Sequence, residues 1–308
     1  MNEIRYRDYG KHLKSIFEKR LQKLSVDAGF TCPNIDGTKA RGGCTYCLNH
    51  SFKPTYCKPK KSITEQLEEG KQFFAHKSQN QDYIAYFQAH TNTYGNIDLL
   101  RELYEEALAV PQVKGLAIST RPDCIDDEVL EYLDELSQKH FITIELGVES
   151  CNDKALEFIN RAHSYAEAET AIKRIAKAEK IHLGAHLIMG LPFDDVEQCK
   201  QNALQLAELP ITTLKFHQLQ VLKGTVMAKQ YEETPELFNL FSEESYLSLC
   251  LDIIEHLTPK VYLERFLSQV PPKLLIAPKW NRVKNFEFAH KLQKSLKERD
   301  TYQGIYYK

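Results

Sequence analysis

The sequence has no apolar run long enough to cross a membrane and no large excess of charge of one sign. Its uninterrupted apolar stretches fall far short of the roughly 20 residues that a membrane helix needs. The 40 basic and 42 acidic residues leave a net charge of −2, so no global basic field points to nucleic acid. The N-terminus, which begins Met1-Asn2-Glu3-Ile4, lacks the apolar segment of a secretory signal. These absences predict a cytoplasmic protein in which disulfides are rare.

The composition also excludes several classes of chain. With 43% apolar and 27% charged residues it is neither mostly disordered, nor a fibre, nor a coiled coil. Its 308 residues suit two domains or one α/β barrel. The eight cysteines therefore need an explanation other than disulfides. Four are scattered and are predicted to be structural: Cys124, Cys151, Cys199 and Cys250.

Short β-rich runs alternate with helical patterns between about residues 24 and 225. The runs lie at 24–26, 83–88, 115–119, 141–148, 182–189 and 213–221, and the helical patterns at 63–76, 98–109, 127–139, 165–178 and 196–208. Strands that alternate with helices predict βαβ units and a parallel sheet. About six such units do not fill a closed eight-stranded barrel, so a partial barrel or an open sheet is expected. In either fold, ligands bind at the C-terminal ends of the strands.

Three segments are predicted along the chain. Residues 1–23 form a polar, basic N-terminal segment, residues 24–225 carry the βα units, and residues 226–308 form a C-terminal extension in which the rhythm changes. The extension shows a helical stretch at 235–256, strand-like pieces at 261–266 and 273–276, and a last helix at 283–299. No internal repeat is visible.

The cysteines at 32, 44 and 47 have the spacing C-x11-C-x2-C, in a loop rich in Gly, Asp and Asn after the first strand. Thiolates are the natural ligands of iron–sulfur clusters and of zinc. A structural zinc site needs a fourth ligand, for which Cys57 or His50 is the candidate. Zinc knuckles usually show two CxxC elements, whereas this chain shows one. The pattern favours a four-iron cluster with one iron left open.

This segment, Cys-Pro-Asn-x-Asp-Gly…Gly-Gly-Cys-x-Tyr-Cys, resembles the YhcC/YtqA family of radical S-adenosylmethionine (SAM) proteins. That family is related to the radical SAM domain of the Elongator catalytic subunit. Stretches at 87–94, 119–123, 145–150 and 186–192 agree, and the resemblance covers almost the whole chain. It implies a radical SAM enzyme with a partial (β/α)6 barrel and a small α+β C-terminal extension.

The resemblance also implies two cofactors, a [4Fe–4S] cluster and SAM. In the superfamily three cysteines hold the cluster, the open iron binds the amino group and carboxylate of SAM, and reduction yields a 5′-deoxyadenosyl radical. Cys32, Cys44 and Cys47 match the three ligands. Tyr46 matches the aromatic residue that packs near adenine, although a plain core aromatic is the alternative. The electron donor would be a flavodoxin- or ferredoxin-type protein.

Five more residues are candidates for binding SAM. Gln88 and Thr91 fall where the superfamily binds the methionine amino group, although the usual Gly-Gly-Glu is missing here. If Glu149 faces the barrel interior, it is a candidate for the SAM ribose or amino group. Arg161 resembles the arginine that holds the SAM carboxylate. Gly190 lies in a segment like the one that borders adenine, where it would permit close backbone approach. The alternatives are a salt-bridged Glu149, an exposed Arg161 and an ordinary turn at Gly190.

Three histidines are candidates for proton transfer at the strand ends: His90, His186 and His217. Strand alternation lets His186, Lys215 and His217 point inward. A lone histidine on a strand is more often a core residue.

For the substrate, the resemblance implies the wobble uridine of tRNA, whose 5-carboxymethylaminomethyl group would be converted to 5-aminomethyl. Two basic patches are compatible with RNA: residues 53–61, and residues 273–299 with Trp280 and Phe286 interleaved. A solvated helix face is the ordinary alternative for such a patch. Two rival functions remain open, a radical SAM enzyme with a small-molecule substrate and a zinc-stabilised RNA-binding protein.

Overall fold

A computed structural model of the chain describes residues 4–51, 53–75, 80–280 and 283–308. Residues 1–3 of the predicted N-terminal segment, the predicted helix end at position 76 and Arg282 of the C-terminal basic patch lie outside the described residues. The strands are β1 (Arg20–Val26), β2 (Gln81–Phe87), β3 (Val113–Thr120), β4 (Phe141–Glu149), β5 (His182–Met189), β6 (Thr213–Gln218), β7 (Val221–Leu222), β8 (Tyr262–Arg265) and β9 (Leu275–Ala277). The helices are α1 (Tyr9–Ile16), α2 (Ile63–Phe74), α3 (Ile97–Ala109), α4 (Asp127–Ser137), α5 (Asp153–Phe158), α6 (Tyr165–Ile175), α7 (Val196–Ala207), α8 (Val226–Glu233), α9 (Glu243–His256) and α10 (Asn285–Glu298).

In the described part of the chain, seven parallel strands form one sheet in the order β1-β2-β3-β4-β5-β6-β8. The strands β1 and β8 lie at opposite edges of this sheet. Even so, the Lys23 Nζ of β1 lies 2.7 Å from the Glu264 Oε1 of β8. The sheet therefore curls until side chains from its two edges meet, which confirms the predicted partial barrel.

The seventh strand comes from the C-terminal extension, whereas the sequence predicts six βα units. β8 pairs with β6, with Thr213 opposite Tyr262 and Leu214 opposite Leu263. The N-terminal segment then continues the edge, because the Leu263 N–H donates to the Arg7 carbonyl oxygen at 2.8 Å. β8 thus covers the edge of the sheet at β6, and the N-terminal segment covers β8. Backbone groups that would otherwise be unpaired at this edge are therefore hydrogen-bonded. The division into three segments stays a prediction.

Strand alternation decides which side chains enter the barrel. On β4, Ile142, Ile144 and Leu146 are fully buried in the apolar core. The intervening Glu145 and Glu149 line the interior. The helices begin at side-chain caps; Ser62 of α2, for example, forms a capping box with Glu65. Among the described residues, no helix combines the length and apolarity that spanning a membrane would require.

Candidate active site

A cavity of about 350 Å³ opens at the C-terminal ends of the strands. This is the position that parallel α/β folds use for ligands. Eleven of the twelve predicted site residues line it: Cys32, Cys44, Tyr46, Cys47, Gln88, His90, Thr91, Glu149, Arg161, His186 and His217. They come from segments up to 185 residues apart, and the curl of the sheet brings them together.

Hydrogen-bond donors point at two of the three predicted cluster ligands. The Asn34 Nδ2 donates to the Cys44 Sγ at 3.2 Å, and the Thr91 Oγ1 donates to the Cys32 Sγ at 3.1 Å. The Arg161 Nη1 lies 3.4 Å from the Cys44 Sγ and also donates to it. Sulfur atoms that accept such bonds are suited to the thiolate form, which is the form that binds iron. The donor set therefore fits an iron–sulfur cluster.

The two candidates for a fourth zinc ligand do not share this setting. Cys57 is buried against β1, where its thiol donates to the Ser25 carbonyl oxygen at 2.8 Å. The side chain of His50 lies outside the described residues. Within the described part of the chain, no three His, Cys, Asp or Glu side chains are grouped so that they could hold one metal ion.

Arg161 and Glu149 form a buried pair at the cavity wall. Their closest atoms, Arg161 Nη2 and Glu149 Oε1, are 3.6 Å apart, and the same Nη2 donates to the Gly147 carbonyl oxygen at 2.5 Å. Glu149 has a φ of 71°, which an L-residue adopts only at a cost. The register between β4 and β5 shifts at this point. The strand thus ends in a strained turn that holds the Glu149 carboxylate in the cavity.

The Glu149 carboxyl is ionised at neutral pH. Burial would raise its pKa, but His186, Arg161 and Tyr46 together lower it to about 2. The His186 Nδ1 is 2.8 Å from the Glu149 Oε2. Glu149 therefore presents a negative charge to the cavity, held between an arginine and a histidine.

Gly147 is required for this pair to fit. A Cβ on Gly147 would lie 2.5 Å from the Glu149 Oε1 and 2.6 Å from the Arg161 Nη2, which is closer than atoms of these types can approach. We expect Gly147→Ala to displace both side chains and to weaken SAM binding at least tenfold, as measured by isothermal titration calorimetry on the cluster-loaded protein. Gly10→Ala in α1, remote from the cavity, is the control and should bind SAM like the wild type. Equal affinities for the two variants would contradict this prediction.

The three candidate histidines line the cavity at different depths. The His90 Nδ1 is 3.2 Å from the Asn49 Nδ2 and 4.0 Å from the Cys32 Sγ, beside the cysteines. His186 and His217 meet edge to face with their ring centroids 4.0 Å apart. Burial, followed by His186 and Arg265, holds the pKa of His217 well below its usual range. His217 is therefore neutral at physiological pH, and its surroundings disfavour protonation.

The floor of the cavity is a charged network, for which the sequence predicted the strand faces of Glu145 and Lys215 but not the partners of these residues. Glu145 is bound by the Lys23 Nζ at 2.6 Å, the Lys215 Nζ at 2.5 Å and the Tyr86 hydroxyl at 2.7 Å. Glu264 accepts from the same two lysines at 2.7 Å and 3.3 Å. Burial opposes ionisation of Glu145, yet Lys215 and Lys23 hold its pKa well below the usual range. Two positive and two negative charges therefore balance beneath the cavity.

Gly190 is the predicted site residue that does not line the cavity. Its φ of 90° suits glycine, and a Cβ there would lie 3.0 Å from the Phe241 ring. Its N–H donates to the Cys199 Sγ at 3.3 Å. The sequence predicts that another group approaches the backbone closely at Gly190. In the structure, that group is the Phe241 ring of the C-terminal extension. A role beside adenine stays a prediction.

The two basic patches are partly neutralised by ion pairs with acidic residues. In the first, Lys53 pairs with Asp27 and Lys61 with Glu69, both at 2.5 Å. In the C-terminal patch, ion pairs join Lys291 to Glu243, Lys294 to Glu298 and Arg299 to Glu255.

The two aromatic residues of the C-terminal patch lie in different surroundings. Trp280 is partly buried, because it packs against Tyr246 and Phe288 and donates to the Phe241 carbonyl oxygen. Phe286 is 66% exposed. Phe286 is therefore the more accessible of the two to a partner.

Two family profiles match the chain. That of the Radical SAM superfamily matches residues 36–204, and that of the Radical_SAM C-terminal domain matches residues 211–298. The first covers the loop with Cys44 and Cys47 and most of the barrel. The second covers the segment that contributes β8 and α10.

Curated relatives agree with these matches. The chain is 35% identical to YtqA of Bacillus subtilis over 99% of this chain and 94% of that protein. It is 34% identical to YhcC of Escherichia coli over 88% of this chain and 86% of that protein. More distantly, it is 23% identical to the tRNA uridine(34) acetyltransferase of Methanocaldococcus jannaschii, over 53% of this chain and 29% of that protein.

Among solved structures, the fold is similar to that of the archaeal Methanocaldococcus infernus Elp3 with an N-terminal deletion. The TM-score is 0.65 at 14% identity, over 92% of this chain. This chain spans 64% of the length of that structure. The likeness establishes a shared fold, including part of the C-terminal extension.

Proposed function

This chain belongs to the radical SAM superfamily and is therefore an enzyme that uses a [4Fe–4S] cluster and SAM, and we propose that it modifies the wobble uridine of tRNA. The observation that carries the substrate is the sequence similarity to a tRNA uridine(34) acetyltransferase over 166 residues. Uridine 34 is the wobble nucleotide. The proposed conversion is that of a 5-carboxymethylaminomethyl group to 5-aminomethyl.

In this proposal, residues already grouped at the cavity hold the two cofactors. Cys32, Cys44 and Cys47 would hold the cluster, whereas Arg161 and Glu149 would bind the carboxylate and the amino group or ribose of SAM. When bound, the two cofactors supply a 5′-deoxyadenosyl radical that removes a hydrogen atom from carbon. The chain must therefore hold the substrate carbon within a few ångströms and keep water away.

The target is the methylene between the nitrogen and the carboxylate of the substituent. Removal of one hydrogen atom, one electron and one proton converts the CH₂–NH unit into an imine. Water then divides the imine into the aminomethyl base and a two-carbon oxo acid, which balances the reaction. The electron goes to a carrier of the flavodoxin or ferredoxin type. One of the three histidines that line the cavity, His90, His186 or His217, would accept the proton.

The substrate is tested by mass spectrometry of tRNA nucleosides from cells that lack this protein. We expect 5-carboxymethylaminomethyluridine to accumulate and 5-aminomethyl derivatives to disappear, with recovery on expression of the wild type but not of Cys32→Ala. An unchanged nucleoside profile would rule out this substrate and favour a small-molecule radical SAM enzyme. With purified components, RNA deuterated at the methylene should transfer deuterium to 5′-deoxyadenosine. Product formed without deuterium transfer would rule out the proposed target carbon.

The C-terminal basic patch provides a separate test of RNA binding. Neutralising Lys291, Lys294 and Lys297 with Gln should weaken binding of tRNA. The slope of log affinity against log salt should also fall, by about 0.7–0.9 for each phosphate that the protein no longer neutralises. SAM cleavage without substrate should survive. Affinity is measured by fluorescence anisotropy at several salt concentrations.

A matched control removes the same number of charges at the opposite end of the barrel. Lys114, Lys139 and Lys180 are exposed and lie at or just before the N-terminal ends of strands β3, β4 and β5. We expect their replacement by Gln to leave the affinity nearly unchanged. If both triple variants weaken binding equally, the C-terminal patch has no special role.

A further inference from the structure

A β-bulge at the edge of the barrel turns two consecutive, oppositely charged residues toward the interior. In the pairing of β6 with β8, Leu214 lies opposite Leu263 but Lys215 lies opposite Arg265, so that Glu264 is the extra residue. In a regular strand, Glu264 and Arg265 would face opposite sides of the sheet. Here Glu264 bonds to the two lysines beneath the cavity, and Arg265 lines the cavity itself.

Among the cavity-lining residues that the structure describes, Arg265 is the cation that the ion pairs leave unbalanced. Lys23 and Lys215 are matched by Glu145 and Glu264, as described above. Arg161 is matched by Glu149 at 3.6 Å. Arg121 is matched by Asp123, with two contacts of 2.9 Å.

For Arg265, the described residues provide no carboxylate within ion-pair distance. Arg265 is exposed at the cavity lining, and its charge acts on Lys215 and His217, neither of which can neutralise it. A guanidinium that lines a cavity and has no carboxylate of its own is suited to bind an anion with paired oxygens.

We propose that Arg265 forms an anion subsite on the β6–β8 side of the cavity, which binds a carboxylate or phosphate group of the substrate. Arg265 belongs to β8, whereas the three cysteines lie in the loop that follows β1. The inference rests on the proposed function for the identity of the ligand. The anion is then either the carboxylate of the wobble substituent or a phosphate of the same nucleotide. The proposal gives Arg265 a role in substrate specificity. This role differs from the SAM-binding role proposed for Arg161 and from the ion pair that Arg121 forms with Asp123.

The test uses the cluster-loaded enzyme and two anticodon stem-loop RNAs that differ in a single group. One carries 5-carboxymethylaminomethyluridine at the wobble position, and the other carries its amide, which lacks only the negative charge. Affinities are measured by fluorescence anisotropy for the wild type, Arg265→Gln and the control Arg20→Gln. Arg20 is exposed at the start of β1, at the far end of the barrel.

If the subsite binds the carboxylate, the wild type prefers the acid over the amide by about tenfold or more, and Arg265→Gln removes that preference. If the subsite binds a phosphate, Arg265→Gln lowers the affinity for both RNAs by the same factor. The Arg20→Gln variant matches the wild type in both cases. Arg265→Gln binding both RNAs with wild-type affinity overturns the proposal.

A second measurement separates failure of the subsite from failure of the tRNA assignment. If the wild type binds neither RNA, the proposed function is wrong, and the subsite is tested with inorganic phosphate and acetate as probes. The rate at which phenylglyoxal modifies each arginine is followed by peptide mass spectrometry. Slowing at Arg265 but not at Arg20 supports an anion subsite with another substrate. If phenylglyoxal modifies Arg265 at the same rate with and without both probes, the proposed anion subsite is overturned.

Discussion

Replacing Cys32, Cys44 or Cys47 by Ala is expected to abolish the brown chromophore of the anaerobically purified protein and its cleavage of SAM. A [4Fe–4S] cluster that leaves one iron open for SAM has three protein ligands, so the loss of any one leaves two. The measurements are iron and sulfide content, the visible absorption spectrum and the formation of 5′-deoxyadenosine with a chemical reductant.

Cys57→Ala is the matched control for the three ligand variants. Cys57 is also a cysteine of the N-terminal region, but its thiol bonds to the Ser25 carbonyl oxygen within the fold. Its replacement should cost about 1 kcal/mol of folding free energy and leave the cluster intact. If Cys57→Ala loses the cluster while Cys32→Ala keeps it, the ligand assignment is wrong.

Arg161→Met is expected to lower SAM affinity more than a hundredfold and also to destabilise the fold. The substitution removes a guanidinium that contacts the Cys44 Sγ, the Gly147 carbonyl oxygen and the Glu149 carboxylate. It leaves the buried Glu149 without this compensating charge, and breaking a buried pair in this way costs about 3–5 kcal/mol. SAM affinity is measured by calorimetry, and stability by thermal unfolding.

The double variant Arg161→Met with Glu149→Gln separates the two effects. Removing both charges should restore much of the stability, because the uncompensated carboxylate is gone. SAM affinity should stay low, since both proposed ligands are absent. Recovery of SAM binding together with stability would show that the pair serves only the fold.

Lowering the pH should remove the contribution that the ionised Glu149 carboxylate makes to the stability of the fold. The pKa of Glu149 is lowered in the folded protein to about 2, below the usual value for a glutamate. Its ionised form therefore stabilises the fold above the unfolded pKa, and this contribution is lost as the pH falls toward 2. Glu149→Gln should flatten the acid limb of thermal stability plotted against pH. An identical acid limb in the wild type and the variant would contradict this.

Local sequence patterns were sufficient to predict the chemical class and most of the barrel. The spacing of Cys32, Cys44 and Cys47 within one loop is a local property that needs no tertiary information. Strand alternation is local as well, and it predicts that Glu145 and Glu149 lie on one face of the fourth strand. A strand-like piece at 261–266 is also predicted, but as part of the extension; its pairing with β6, which makes β8 the seventh strand of the sheet, is a tertiary contact.

Which of these residues contact one another depends on the folded arrangement of the strands. Lys23 and Glu264 are 241 positions apart and come from opposite edges of the sheet, so their contact depends on how far the sheet curls. Arg161 reaches the Cys44 Sγ across 117 positions because Gly147 leaves space for it. The bulge that turns both Glu264 and Arg265 inward depends on the pairing of β8 with β6. Local patterns specify the face on which a side chain lies, whereas curl, register and packing space specify its partner.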